Sequence, residues 1–155
     1  MKYLKILIIF FSILLFNSCG YNNINSKKLN DFKINKLEIN GEKKLTSKVK
    51  NNIDIYSSQN SKFIYEVQIK LVLNKKTKIK NTAGKTIRYS IELQADTLIT
   101  NTSTQNVYEK TFSSINDYNV ASTHSDTLNN EKNAIENATN YISNEIVKYL
   151  KLLNV

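Results

Sequence analysis

Two stretches of the chain place apolar side chains at every second position, and this pattern constrains the fold more than any other feature. The alternating positions are Phe63, Tyr65, Val67, Ile69, Leu71 and Leu73, then Ile87, Tyr89, Ile91, Leu93, Ala95, Thr97 and Ile99. A period of two predicts β-strands with one buried face. A weaker third run covers residues 107–115. Because the connections are short, we expect an antiparallel meander.

Helical spacing flanks the meander on both sides. Leu45, Val49, Ile53 and Tyr56 predict a helix over about residues 42–57. A longer helix, whose first turn Asp126 or Thr127 can cap, is predicted by the spacing of Leu128, Ile135, Ala138, Ile142, Ile146, Leu150 and Leu153. A strand over residues 32–39 precedes both. The order β-α-β-β-β-α predicts an α+β two-layer sandwich, with two helices packed on one face of a mostly antiparallel four-stranded sheet.

The N-terminus has the layout of an export signal. Lys2 and Lys5 precede an apolar run over residues 6–16, and Asn17-Ser18-Cys19 follows. Eleven residues make a helix of roughly 16 Å, which is shorter than the roughly 30 Å hydrocarbon core of a membrane. We therefore predict a signal peptide over residues 1–18, a tether over 19–31 and one α+β domain over 32–155.

Cys19 ends this signal, and Phe16-Asn17-Ser18-Cys19 resembles the lipobox of bacterial lipoproteins. The resemblance implies cleavage before Cys19, a diacylglycerol on its sulfur and an acyl group such as palmitate on its new amine. Two or more acyl chains anchor a protein stably to a membrane. Gly20 favours the outer membrane over the inner one by the lipoprotein sorting rule. The alternative is a soluble exported protein with a free thiol.

Composition narrows the function classes. The chain has one Cys and one His, His124, so an intrachain disulfide framework, a cysteine zinc cluster and a histidine-based triad all lack the residues they need. We therefore expect no enzyme, no metal site and no cofactor. The formal charge is +9, and it is uneven: residues 19–88 hold 16 basic and 5 acidic side chains, whereas residues 89–129 hold 1 and 5.

The ordered motifs resemble the family of the LPS-assembly lipoprotein LptE (RlpB). They are Ser18-Cys19-Gly20-Tyr21, Leu37-Glu38-Ile39-Asn40-Gly41, Gly84-Lys85-Thr86-Ile87-Arg88-Tyr89-Ser90-Ile91 and Asp117-Tyr118-Asn119, with the last helix following. The resemblance covers essentially the whole mature chain. It implies a non-catalytic protein on the periplasmic side of the outer membrane. There it would sit in the lumen of an LptD-like β-barrel as a one-to-one complex, support barrel assembly and assist lipopolysaccharide transport.

Two further predictions concern binding residues. Six cations without an acid lie within fourteen residues, around a predicted flexible hairpin tip at residues 81–84: Lys75, Lys76, Lys78, Lys80, Lys85 and Arg88. They could bind the phosphates of lipopolysaccharide or only keep the protein soluble. Among the tyrosines, Tyr65 and Tyr89 share the apolar alternation and are assigned to the core. Tyr108 lies on the opposite alternation from Val107 and is the candidate for a partner interface.

Three competing functions remain open. The chain could be another periplasm-facing outer-membrane lipoprotein that acts as a binding module in envelope assembly. A nucleic-acid-binding protein is suggested only by the basic charge; export removes that ligand, and the strands lack basic residues interleaved with exposed aromatics, so we expect no nucleic acid partner. A hydrolase could use Glu92 and Asp96, but spacing on a strand does not demonstrate a catalytic carboxylate pair.

Overall fold

The structure of the protein, a computed structural model, describes residues 31–154. It contains, in chain order, β1 (Lys33–Asn40), α1 (Lys43–Asp54), β2 (Ile64–Lys80), β3 (Thr86–Asn101), β4 (Val107–Asn119) and α2 (His124–Leu152). The predicted signal peptide, Cys19 and all but the last residue of the predicted tether lie outside the described residues.

One four-stranded sheet carries the fold, in the order β1-β2-β3-β4. Strand β1 pairs parallel with β2, because the chain crosses over through α1, whereas β2, β3 and β4 form the antiparallel meander. Both helices pack on the same face, and their buried positions include Val49, Ile53, Ile142 and Ile146. The predicted α+β class, element order and mostly antiparallel sheet are confirmed.

The core lies between this sheet face and the helices. The odd-numbered side chains of β2 and β3, such as Val67, Ile69, Leu93 and Ile99, are almost completely buried against α1 and α2. Each aliphatic side chain buried in this way contributes about 1.5–3 kcal/mol. The even-numbered side chains face outward from the opposite side of the sheet, which no element within residues 31–154 covers.

Strand β4 faces the opposite way from the prediction. The apolar run over residues 107–115 suggested that Val107 and Ile115 face the core, but they are 56% and 65% exposed. Phe112 and Tyr118 fill the core face instead. The prediction was wrong because β4 is an edge strand with few apolar residues, so its weak alternation did not define the buried face.

The ends of several elements also differ from the prediction. Strand β2 continues to Lys80, and β4 to Asn119, because strand pairing extends past the last buried side chains. Helix α2 begins earlier, at His124, and its N-cap is Thr123, whose Oγ1 accepts a hydrogen bond of 3.1 Å from the Asp126 backbone N–H. Helix α1 is shorter at both ends.

The helices cover only part of the β2–β3 hairpin. The buried residues of α2 begin at Ala134. In the part of the helix before Ala134 the only apolar side chain is Leu128, which is half exposed. The last seven residues of β2 are exposed as a result. We call residues 76–88 the distal hairpin and the covered part of β2 and β3 the proximal half. No helix within residues 31–154 combines the length and the hydropathy that a bilayer span requires.

Candidate functional site at the lysine-rich end of the sheet

The six predicted lipopolysaccharide-binding cations gather at one end of the sheet, but not on a flexible loop. Lys75, Lys76, Lys78 and Lys80 all lie within β2, which pairs with β3 as far as Lys80 and Thr86. These four lysines therefore lie on a paired strand that leads to the predicted hairpin turn at residues 81–84. The cause is that a β-ladder continues without apolar burial as long as both strands supply backbone partners.

Only residues 81–85 form the turn of this hairpin, and Asn81 organises it. Its Oδ1 accepts hydrogen bonds from the backbone N–H groups of Ala83 (3.1 Å) and Lys85 (2.9 Å), and its own N–H donates to the Lys85 carbonyl (2.9 Å). Gly84 supplies a φ of +75°, a conformation that other residues rarely adopt. The turn therefore has a defined geometry and holds Lys80 and Lys85 on either side of it.

The cations do not form one cluster, because the strands direct them to two faces of the sheet. Lys75 is odd-numbered and lies on the helix side, where its ammonium meets Glu131 of α2. Lys76 and Lys78 lie on the uncovered side, where they meet Glu92 of β3 and Asp117 of β4. The six cations are thus divided between the two faces of the sheet.

Lys75 belongs to a compact network that closes the core at this end. Its Nζ lies 2.7 Å from Glu131 Oε2 and 4.6 Å from the ring centre of Tyr89. The Tyr118 hydroxyl donates to the same Glu131 oxygen at 2.9 Å, and its ring stacks on Tyr89 with centres 5.5 Å apart. Lys75 therefore has a structural role, which distinguishes it from the other five cations.

The pKa values in this network follow from its contacts. Burial raises the pKa of Glu131, but hydrogen bonds from Lys75 and Tyr118 outweigh burial and leave that pKa below its usual range. Burial lowers the pKa of Lys75, but the contacts with Glu131 and Tyr118 together outweigh burial and leave the pKa raised. Burial is also the main cause of the raised pKa of Tyr118. Glu131 and Lys75 are both charged at neutral pH.

The outward-facing cations are partly neutralised by acids of the neighbouring strands. Lys76 Nζ lies 2.7 Å from Glu92 Oε2, and Lys78 forms an ion pair with Asp117. The hydrogen bond from Lys78 is the main cause of the lowered pKa of Asp117. Arg88 Nε donates a 2.7 Å hydrogen bond to the side-chain oxygen of Asn119. Lys76 and Lys78 would therefore have to give up carboxylates before binding another anion.

Lys80 and Lys85 are different, because neither takes part in an ion pair within the described part of the chain. Both side chains are exposed, and they flank the turn. Arg88 has no ion pair among residues 31–154 either. Arg88 nevertheless lies close enough to Asp117 to help lower the pKa of that carboxyl group, so Lys80 and Lys85 are the cations of the set that retain an uncompensated positive charge.

A groove of about 470 Å³ opens beside them on the helix side. Its lining includes Lys75, Lys85, Tyr89, Tyr118, His124 and Leu128. His124 is the first residue of α2 and lies at the edge of this groove. The groove combines cations, aromatic rings and an exposed apolar side chain, a set that suits a ligand with an anionic and an apolar part.

The acidic partners were missed by the sequence analysis, although a signal for them existed. The cation-rich segment ends at Arg88 and is followed by an acid-rich one. Glu92 of β3 lies opposite Asn74, diagonal to Lys76 of β2, whereas Asp117 of β4 lies opposite Ser90 and reaches Lys78 across β3. The opposite charge of two adjacent predicted strands could therefore have indicated cross-strand pairs. No such signal existed for Glu131, because the sequence does not indicate which residues of the last helix contact which residues of the sheet.

Tyr108, the predicted interface residue, lies on the core face of β4. It is partly exposed and packs against the main hydrophobic core. Tyr65 is completely buried and Tyr89 is partly buried, in keeping with their assignment to the core side. The prediction that Tyr108 contacts a partner remains a prediction, with only the exposed part of its ring available for such a contact.

The carboxylates considered for hydrolysis are engaged in other contacts. Glu92 pairs with Lys76, and Asp96 accepts hydrogen bonds from Gln94 (2.9 Å) and Thr111 (2.8 Å). The hydrogen bond from Gln94 is the main cause of the lowered pKa of Asp96, and the bond from Thr111 adds to it. A carboxyl group with a lowered pKa is a poor general acid at neutral pH. No group of three or more potential metal-ligating side chains occurs within residues 31–154.

Solved structures with a similar fold include lipoproteins from three species. Rare lipoprotein B from Shewanella oneidensis aligns over 75% of this chain and 93% of its own, with a TM-score of 0.58 and 11% identity. Lipoprotein B from Nitrosomonas europaea aligns over 82% and 88%, with a TM-score of 0.58 and 8% identity. A protein of Caulobacter crescentus described as a lipoprotein aligns over 81% and 92%, with a TM-score of 0.53 and 11% identity.

No protein-family model and no curated protein sequence matches the chain. At 8–11% identity the structural similarity concerns the fold. It nevertheless spans nearly the whole of each lipoprotein domain, and it agrees with the fold that the sequence resemblance implied. The chain therefore has the fold of the rare lipoprotein B structures.

Proposed function

We propose that the chain is a lipid-anchored, non-catalytic protein of the outer membrane that occupies an LptD-like β-barrel, supports barrel assembly and assists lipopolysaccharide transport. The observation that carries the proposal is the fold shared with rare lipoprotein B over 93% of that protein's chain. The abbreviation RlpB stands for rare lipoprotein B, so this similarity and the resemblance in sequence point to the same family. Cys19, directly after an export signal, supplies the attachment site for the lipid.

Partner recovery tests the proposal most directly. A C-terminally tagged full-length chain, extracted from its own cells in mild detergent, should bring down an LptD-like barrel in equal amount. Recovery of the chain with a different envelope complex, and without such a barrel, would favour the alternative of another outer-membrane lipoprotein that acts as a binding module.

Metabolic labelling with palmitate tests the lipid anchor. The wild-type chain should be labelled, and Cys19→Ser should remain unlabelled. Equal labelling of both would contradict the anchor.

The charge distribution refines the lipopolysaccharide part of the proposal. Lys80 and Lys85 carry uncompensated charge beside the groove, whereas Lys76 and Lys78 are paired with acids. A phosphate bound at the turn would therefore contact Lys80 and Lys85 without displacing a carboxylate. Lys75 lines the groove and so contributes to the shape of its wall, but it supplies no free charge to the phosphate.

A double charge reversal separates these roles. Lys80→Glu with Lys85→Glu should weaken binding of purified lipopolysaccharide several-fold, as measured by the concentration needed for half-saturation. Lys43→Glu with Lys44→Glu is the matched control, since these exposed lysines of α1 give the same change in net charge far from the turn. Equal losses in both double variants would show that only net charge matters and would contradict a site at the turn.

A further inference from the structure

A polar groove follows the seam between α2 and the edge strand β4. It consists of two cavities of about 440 Å³ and about 460 Å³, and Asn116 of β4 and Asn137 of α2 line both of them. The first cavity reaches Arg88, and the second reaches Tyr141. Because they share two lining residues, the cavities form one continuous depression, which we call the amide groove.

The sequence of α2 forms one wall of the amide groove from a stripe of polar side chains. Asn130, Asn133, Asn137 and Tyr141 follow one another at spacings of three, four and four residues. Each helical turn of about 5.4 Å therefore presents one of them to the groove. Eleven residues separate the ends of the stripe, so it is about 16 Å long. A wall that repeats in this way suits a ligand that is itself a chain of similar units.

The charged side chains of the amide groove are already engaged in the fold. Its lining contains one cation, Arg88, and one acid, Asp117. Arg88 Nε donates a 2.7 Å hydrogen bond to the side-chain oxygen of Asn119, and Asp117 is paired with Lys78. The groove therefore offers neither a net charge nor an unpaired charge that would select an ionic ligand.

Its amide groups, in contrast, have hydrogen-bonding capacity to spare. Asn133, Asn137 and Tyr141 are exposed, and no side-chain hydrogen bond within residues 31–154 involves them. Asn116 and Asn130 each use one amide N–H within the fold. An amide side chain supplies two donors and a carbonyl acceptor, and a tyrosine hydroxyl can both donate and accept. The groove thus presents uncharged donors and acceptors side by side.

Hydroxyl groups are the ligand chemistry that matches this lining, because each hydroxyl also donates and accepts. An apolar ligand would displace water from the amides without replacing its hydrogen bonds, which is unfavourable. A sugar ring has, in addition, a C–H face that packs on an aromatic or aliphatic surface. Tyr141, 53% exposed, and Ile115, 65% exposed, supply such a surface at one end of the groove.

We propose that the amide groove binds a glycan, a chain of sugar units held through their hydroxyl groups by the asparagines and packed at one end on Tyr141. This inference goes beyond the proposed function and does not depend on it. Two sources share the chemistry: the saccharide part of lipopolysaccharide and the glycan strand of peptidoglycan. The first source would extend the proposed function.

Titration with soluble oligosaccharides tests the proposal. The full-length chain is kept in a detergent without a sugar headgroup, and saturation-transfer NMR gives the dissociation constant of each probe. One probe is the dephosphorylated core oligosaccharide of lipopolysaccharide, and the other is a short oligomer of N-acetylglucosamine. Binding of either probe supports the proposal and identifies the source of the glycan. Binding of neither would overturn it.

Matched asparagine variants locate the bound glycan. Asn133→Ala with Asn137→Ala should weaken binding about ten-fold through the loss of two hydrogen bonds. Alanine favours the helix more than asparagine does, so this loss would not come from unfolding of α2. Asn51→Ala with Asn129→Ala is the control, since both residues are exposed and helical but line neither cavity. Equal effects of the two double variants would overturn the proposal.

An extended peptide is the competing occupant, because one edge of β4 pairs with no strand within residues 31–154. Such a peptide would add to β4 through backbone hydrogen bonds and would not require the amides of α2. A peptide rich in serine and threonine is therefore titrated beside the sugars. Binding of this peptide alone, unchanged in Asn133→Ala with Asn137→Ala, would overturn the glycan site in favour of strand addition.

The same measurements separate this inference from the proposed function. A chain that is recovered with an LptD-like barrel but binds neither oligosaccharide rejects the amide groove as a glycan site and leaves the proposed function intact. A chain that binds an oligosaccharide but is recovered without such a barrel supports the glycan site and rejects the proposed function.

Discussion

The proximal half and the distal part of the same hairpin are built from the same two strands but are stabilised differently. In the proximal half, Val67, Ile69 and Leu93 are buried beneath the helices. In the distal hairpin the ladder between β2 and β3 continues, yet the side chains of β2 are exposed and ion pairs replace apolar contacts. Because exposed ion pairs contribute little to stability, the distal hairpin depends on its backbone ladder and on the folded half behind it.

The boundary between the two parts is the network around Lys75. A small apolar cluster of Ile91, Tyr118 and Ala134 ends there. Beyond this network the hairpin carries charged side chains that a ligand can contact, but it has no hydrophobic core. The comparison indicates that the proximal half supplies most of the stability of the domain. The distal hairpin can carry binding residues because little of the core depends on it.

Two isoleucines on β2 test this difference with the largest expected effect. Ile69→Ala, at a site that is 1% exposed, should lower the free energy of unfolding by about 2–5 kcal/mol, since it removes buried methyl groups and leaves a cavity. Ile79→Ala, in the distal hairpin, should change it by no more than about 0.5 kcal/mol. Urea unfolding followed by circular dichroism measures both. Similar losses would mean that the distal hairpin is part of the core.

Two glycines test the same difference through the backbone. Gly41 has a φ of +148°, and an added Cβ would lie 3.0 Å from both the carbonyl oxygen and the Cβ of Leu71 in the proximal half. Gly84 has a φ of +75° at the distal turn, with open space around it.

Gly41→Ala should therefore cost about 2–3 kcal/mol, from backbone strain and steric conflict together, whereas Gly84→Ala should cost about 1 kcal/mol from strain alone. Thermal unfolding of the two variants beside the wild type gives the comparison. A larger loss for Gly84→Ala would show that the distal turn, rather than the proximal packing, limits stability.

The sequence predicted the proximal half well, for a physical reason. Strands covered on one face must alternate, and helices that cover them must carry an apolar stripe, so burial itself generates the pattern that identifies positions such as Ile69 and Ile142. Where burial ends, the signal ends too. The extension of β2 to Lys80 depends on backbone pairing, which leaves no mark on side-chain choice, and the orientation of β4 at the sheet edge was determined by only two buried rings, Phe112 and Tyr118.

The candidate site was predictable as a composition but not as an arrangement. Six cations within fourteen residues are visible in the sequence. Their division between the two faces of the sheet follows from the register of the strands. The distinction between paired Lys78 and unpaired Lys80 depends on Asp117, a residue 39 positions away from Lys78 that only the meander brings close. The Thr123 cap likewise depends on where β4 ends, which the weak alternation did not define.

Neutralisation of Glu131 tests the boundary itself and has the smallest expected effect. Glu131→Gln keeps the shape of the side chain but removes the charge that pairs with Lys75, and should cost about 1 kcal/mol at neutral pH. Glu92→Gln is the matched control, because the partner of Glu92 is Lys76 at the start of the distal hairpin. It removes the ion pair with Lys76, whose side chain is 68% exposed, and should cost less than half as much. Urea unfolding at neutral pH measures both losses.

The pH dependence of the unfolding free energy shows whether the charge of Glu131 causes the loss of stability. The pKa of Glu131 is lowered from its ordinary value of 4.5, so the unfolded chain binds the proton more tightly than the folded one. The stabilisation by this carboxylate is therefore complete above pH 4.5 and is lost as the pH falls through the lower, folded pKa. The difference in unfolding free energy between wild type and Glu131→Gln should shrink over that interval, while Asp96 and Asp117 contribute equally to both proteins. A difference that stays constant from neutral pH to pH 3 would mean that Glu131 acts through packing and that its charge does not hold the boundary together.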